Sequence, residues 1–245
     1  MFVQLLAALL VLTTPQADEI GRKIWENESR GSFRGLTSWN QGEEFASMGI
    51  NHFIWYPKGK QGPFEETFPG FIRYIERKGA PLPLWLSGSP PCPWSSRGAF
   101  FAEFESPKML ELRHFLHRTR ALQIQFMAEQ FERILPDILQ AVPNEKKKQV
   151  TKNLELLSCT KKGPYLLLDY YNFKGSGLKE KERYNGMGWG LLQVLEEMED
   201  EGKEVAYSFA NAAKKVLKRR VENAPRERNE EKWLPGWLSR IKTYH

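Results

Sequence analysis

Apolar side chains recur at helical spacing along most of this chain, and crowd together in one short stretch near its start. From Asp18 to Glu28, Ile20, Ile24 and Trp25 share a face, and Asp18-Glu19 suit the positive end of a helix dipole. Gly31 and Gly35 break that pattern. Residues 45–56 then concentrate aromatic and β-branched side chains (Phe45, Ile50, Phe53, Ile54, Trp55, Tyr56) and stop at Pro57-Lys58-Gly59. That composition predicts short strands or a hairpin. Phe64–Lys78 returns to helical spacing, with Phe68, Phe71, Ile72 and Ile75 on one side. Next come Pro81, Pro83, Pro90, Pro91 and Pro93, which predict irregular chain held to the body by Trp85 and Trp94.

The rest reads as helix. Ser106-Pro107 is an N-cap and first-turn pair. Leu122, Phe126, Ile134, Leu135, Ile138 and Leu139 form one face, with Pro136 a predicted kink. Pro143-Asn144-Glu145 opens another helix, whose Lys146-Lys147-Lys148 run predicts a solvated face. Pro164 starts an apolar helix to Phe173, and Leu191–Met198, Val205–Arg220 and a segment with Trp233, Trp237 and Ile241 follow. The pattern predicts an α+β fold: a small N-terminal part with some β-structure, a larger helical part, and a cleft between lobes.

Composition adds three points. With 245 residues, 41% hydrophobic, the chain is long and apolar enough to bury a substantial core. Lys and Arg exceed Asp and Glu by 36 − 30 = 6, a modest basic excess suited to an anionic polymer. The run Met1–Leu12 is too short to span a bilayer and fits the core of a secretory leader cleaved after Ala17. A secreted or periplasmic location, without stable membrane insertion, is therefore expected. Cys92 and Cys159 are then either bridged or two free thiols. His52, His114, His117 and His245 are scattered and do not form a metal-ligand pattern. Asn185-Gly186-Met187-Gly188-Trp189-Gly190 lacks the lysine and hydroxyl of a phosphate loop, which argues against nucleotide binding. No basic-aromatic motif points to nucleic acid.

The candidate chemistry lies in Glu26-Asn27-Glu28 and in Ser47-Met48-Gly49-Ile50-Asn51-His52. Splitting a glycosidic bond needs a protonated carboxyl beside the scissile oxygen and a second group across the sugar. Glu26 and Glu28 lie about 200° apart on a helix, so only one of them can face a given site. Glu43 and Glu44, after a turn at Gly42, are the candidates for the second carboxylate, and Glu43 is preferred.

Ser47–His52 resembles the Thr-Ile-Gly-x-Gly-His hairpin of the phage-type lysozyme family and its wider lysozyme-like superfamily, with Ser for Thr and Asn51 for the second Gly. Glu28 lies where that family keeps its catalytic Glu. Leu167–Gly177 is similar to the family's central helix, which ends in Phe-Asn-x-Gly-x-Gly. Leu191–Met198 is placed like its following Leu-Leu helix, and Val216–Glu222 resembles its Arg-Arg-x-x-Glu segment.

The resemblance implies a lysozyme-like domain over residues 18–245, with residues 57–105 as an insertion. It implies a monomeric, cofactor-free glycosidase acting on peptidoglycan or a related polysaccharide. Glu28 would be the general acid, Glu43 the second carboxylate, and Ser47 the residue placing water. Trp39, Asn51, His52 and Tyr56 are the candidate sugar-binding residues, His52 also bracing the hairpin. A lytic transglycosylase, a chitin or chitosan hydrolase, or a wall-binding protein without activity are the alternatives.

Overall fold

The computed structural model describes residues 10–199 and 204–245. The first nine residues of the expected leader lie outside the described part. The chain is α+β, mainly helical with a small antiparallel sheet. It divides into two compact units: Leu12–Met127, and Ala128–His245 together with Leu10 and Val11. The sheet is therefore not a small lobe of its own. It belongs to a unit with several helices.

In the first unit, helix α1 (Thr14–Ser29) begins earlier than the apolar pattern predicts. Pro15 sits in its first turn, and the Gln16 side chain accepts from the Thr13 backbone N–H at 3.0 Å. Ala17, Ile20, Gly21 and Ile24 form its buried stripe. The cleavage point expected after Ala17 thus falls inside a helix whose Ala17 is wholly buried.

Strands β1 (Thr37–Ser38), β2 (Ala46–Met48) and β3 (Phe53–Trp55) pair antiparallel in the order β1-β2-β3. Alternation separates the two faces of the sheet. Thr37, Ala46, Met48, Phe53 and Trp55 are buried on one face, and Ser38, Ser47 and Ile54 form one cross-strand row on the other, where Ser47 is also buried and its two neighbours half-buried. The core face packs as aromatic pairs, with ring centroids 4.6 Å apart for Trp55–Phe68 and 5.0 Å for Phe53–Phe71.

Helix α2 (Phe68–Arg77) supplies Phe68, Phe71, Ile72 and Ile75 to this core, as the spacing predicts. The proline-rich stretch holds one 3-10 turn and then α3 (Arg97–Ala102). It is tied down by buried Trp94 and by the Trp85 indole, which donates to Glu111 at 2.8 Å. Helix α4 (Pro107–Arg118) starts at Ser106, whose hydroxyl accepts from the Met109 N–H at 3.2 Å. Helix α5 (Arg120–Ala141) follows, runs through Pro136, and contains the boundary between the units.

The second unit contains α6 (Asn144–Ser158), α7 (Gly163–Lys174), a β4–β5 hairpin (Arg183–Tyr184, Met187–Gly188), α8 (Leu191–Glu197), α9 (Val205–Asn223) and α10 (Leu234–Ile241). Helix α7 is buried from Tyr165 through Tyr170, the mark of a central helix. The Asn185-Gly186 pair takes the left-handed conformation, with φ of 50° and 75°, and closes the hairpin. The glycine-rich segment thus supplies the turn and second strand of this hairpin.

Ion pairs fasten the C-terminal end of this unit, Arg220–Glu230 largely buried and Arg219–Glu197 partly exposed. Arg219 and Arg220 pair with acids outside the Val216–Glu222 segment. Arg220 donates to Glu230 at 2.6 and 2.8 Å, and Arg219 to Glu197 at 3.0 Å. Burial alone would push the Glu230 carboxyl up, but hydrogen bonds from Arg220 and Tyr184 hold it below the usual carboxylate range. A depressed carboxylate stabilises the fold above its unfolded pKa of ~4.3 and loses that contribution as pH falls through the folded value. Glu230→Gln is therefore expected to lower the urea midpoint at pH 7, with the gap from wild type shrinking below about pH 4.

Cys92 and Cys159 are both free thiols, Cys92 buried and Cys159 exposed, which settles the pairing left open above. Burial pushes the Cys92 thiol up to about 12, so it is no thiolate nucleophile. No described helix is long and apolar enough to cross a membrane.

Candidate functional site

All the candidate catalytic residues fall in the unit Leu12–Met127. On α1 the two acids separate as the helical period requires. Glu26 is exposed and pairs with Arg22 at 2.7 Å, while the Glu28 side chain is only 16% exposed. Glu28 Oε2 lies 3.7 Å from His52 Nδ1, which brings together the helix end and the β2–β3 turn. At the end of α1, Arg30 takes a left-handed conformation and its N–H donates to Glu26 O at 2.9 Å.

The turn that carries His52 is fixed from below by a residue the sequence reading did not single out. Gln123 on α5 is fully buried. Its Oε1 accepts from the Ile50 N–H at 2.9 Å, its Nε2 donates to Leu116 O at 2.6 Å, and its backbone oxygen accepts from Asn51 Nδ2 at 3.3 Å. Gly49 has φ +76°, and a Cβ there would overlap Gln123 Oε1. Both the left-handed backbone and the close approach of the amide require glycine. His52 is itself left-handed, with φ 51°, so the turn that aims its ring toward Glu28 is held in a sparsely populated conformation. The sequence marks Gln123 only as one of several polar residues on a mixed helix. The turn residues it holds, Ile50 and Asn51, lie more than 70 residues away, beyond any local pattern.

Gln123→Leu removes the acceptor of a buried N–H and is expected to cost about 1–3 kcal/mol. Chemical denaturation checks the magnitude. Gln123→Glu keeps the acceptor oxygen but buries a charge, and is expected to be at least as damaging.

The structure distinguishes the two adjacent glutamates. Glu44 is exposed, and Glu43 is half-buried within the turn before β2. The Trp39 indole N–H donates to the Glu43 backbone oxygen at 2.7 Å, and Asn40 Nδ2 donates to Glu43 Oε1 at 3.2 Å. Glu43 Oε2 is buried with no hydrogen-bond partner, an orphan acceptor beside an anchored one. Ser47 is 5% exposed at the centre of the Ser38–Ser47–Ile54 row.

The candidate sugar-binding residues divide. Trp39 is buried, packs edge-on against Phe100 and spends its indole N–H on the backbone. Tyr56 is buried against Phe45, and its hydroxyl donates to Phe64 O at 3.3 Å. Asn51 is buried and bonded to Gln123. These three are packing and bracing residues, because their faces and donors are already committed. His52, about a third exposed, is the member that stays beside Glu28 within reach of solvent. His114 and His117 both pack on Phe33, as a helix-surface pair would. Among the described residues, no three His, Cys, Asp or Glu side chains converge as metal ligands.

The arrangement supplies a shielded carboxyl at a helix end, an imidazole beside it, and a second, partly unsatisfied carboxylate on the strand-leading turn. Comparison of the chain with protein-family models, with characterised proteins and with solved structures gives no match.

Proposed function

We propose that the unit Leu12–Met127 is the catalytic part of an exported, lysozyme-like muramidase that hydrolyses the β-1,4 link between N-acetylmuramic acid and N-acetylglucosamine. The observation that carries this reading is Glu28, shielded at the end of α1 with its carboxylate 3.7 Å from His52. A general acid must stand beside the scissile oxygen and give up its proton as the bond breaks, and a carboxyl held at a helix end by a neighbouring side chain is placed for that role. Glu28 would donate that proton to the glycosidic oxygen. His52 would position the carboxyl, with no transfer of its own.

Glu43 is the second carboxylate in this reading. Asn40 fixes one oxygen, and the buried, unpaired Oε2 leaves the carboxylate's charge only partly compensated, which suits it to balance oxocarbenium-like charge. Ser47 lies on the face of the sheet opposite the aromatic core, where a hydroxyl could help hold the water. The basic excess of the chain favours an anionic wall polymer over neutral chitin.

Zymography of the purified chain on wall material tests the activity. A cleared band is expected. A protein that is retained on insoluble wall but never clears it belongs to the binding-only alternative.

A further inference from the structure

The second unit holds a cavity of about 310 Å³, at the lower end of the range for small-molecule sites. It is walled by the start of α6, the β4–β5 hairpin, α8 and α9. Five charged side chains line it: Lys146, Arg183, Arg219, Glu196 and Glu197. Arg219 and Glu197 neutralise one another at 3.0 Å. That leaves two cations, Lys146 and Arg183, and one carboxylate, Glu196.

Glu196 feels the cations Lys146, Arg219 and Arg183 and, more weakly, the acid Glu145, yet forms no hydrogen bond or ion pair with any described residue. Arg183 spends Nη2 on Gly177 O at 2.9 Å, and its Nε is buried without a partner. Of the Lys146-Lys147-Lys148 run, Lys147 and Lys148 are exposed as expected, but Lys146 is half-buried at this cavity. Opposite charges are thus held around one space without closing on each other. Met187, Leu192 and Pro143 add an apolar wall.

A bare anion in this space would meet the unpaired Glu196, and a bare cation would meet Lys146 and Arg183. A group carrying both charges on adjacent atoms satisfies all three. We propose that this cavity binds an α-amino-acid head group, its carboxylate against Arg183 and Lys146, its ammonium against Glu196, and an aliphatic stem along Met187 and Leu192. The source is either a free amino acid or the side-chain end of a diamino acid in a wall peptide. The proposal does not depend on the activity assigned to the other unit.

The test is NMR titration of the full-length, isotope-labelled chain with norleucine, N-acetylnorleucine and norleucine methyl ester. Norleucine is expected to bind, shifting resonances of the hairpin and α8, and each single-charge derivative to bind about tenfold or more weaker. Glu196→Gln, a half-exposed position that the fold does not lean on, is expected to weaken norleucine by about tenfold or more while leaving N-acetylnorleucine no weaker. Lys146→Met is expected to weaken both norleucine and N-acetylnorleucine. A stem peptide bearing diaminopimelate that binds tighter than norleucine assigns the wall as the source, and one that binds equally or worse assigns the free amino acid. Equal binding of norleucine and N-acetylnorleucine, no shifts at all, or an unchanged Glu196→Gln overturns the proposal.

Discussion

Glu28→Gln is expected to lower the rate of wall hydrolysis by about 10²–10⁴-fold, the usual worth of a positioned general acid. The amide keeps the shape and most hydrogen-bonding capacity of the carboxyl but has no proton to give. Because the side chain sits at the end of α1 and not in its buried stripe, the denaturation midpoint should move little. Glu26→Gln is the matched control. Glu26 is exposed and, among the described residues, pairs with Arg22 of its own helix, so activity near wild type is expected. Steady-state turbidity loss on purified wall, measured for the three proteins side by side, gives both numbers. A Glu26 variant as impaired as the Glu28 variant would point to damage of α1 instead of loss of an acid.

The largest stability effect is expected far from this chemistry, at Asp169. It is wholly buried on the central helix α7. Arg240 donates to both of its oxygens, at 2.9 and 2.8 Å, and the Tyr244 hydroxyl donates at 2.6 Å. Burial, with Asp169 beside it, pushes the Tyr244 hydroxyl well above its usual range, which keeps it a donor. Asp169→Ala strands a nearly buried guanidinium and a buried hydroxyl, and is expected to cost about 3–5 kcal/mol. Asp169→Asn keeps an acceptor oxygen but loses the charge, and should fall between the two. Denaturant midpoints at unchanged m-value check the series. A loss below about 1 kcal/mol for Asp169→Ala would mean that Arg240 finds water on its own.

Most helices were legible because their signals are local. Ser106-Pro107 starts α4, and the apolar spacing of Phe68–Ile75 and Leu191–Leu195 marks α2 and α8. Strands β2 and β3 were legible as β-rich composition ahead of Pro57-Lys58-Gly59, whereas the two-residue β1 and the β4–β5 hairpin carry too few residues to leave a pattern. That Glu26 and Glu28 would take different surroundings was legible from the helical period, but which of the two is shielded was not. Less visible were features made by distant residues. The Glu43/Glu44 choice needed the turn geometry set by Trp39 and Asn40. Trp39 and Tyr56 read as sugar platforms, yet tertiary packing consumes both rings, because an aromatic residue carries no local mark of which partner will cover it. Gln123 and Glu230 find their partners only through the fold, and Arg220 takes Glu230 over the nearer-in-sequence Glu222. The lysine run shows the same limit: one of its three members turns into a cavity that no periodicity describes.

The central claim is that Glu28 drives addition of water across a wall glycosidic bond. Mass spectrometry of soluble fragments released from purified peptidoglycan in ¹⁸O-water tests it most directly. The account predicts label at newly formed reducing N-acetylmuramic acid ends with wild-type protein, and no such fragments with Glu28→Gln. Unlabelled anhydro ends, or labelled ends undiminished in Glu28→Gln, would contradict it.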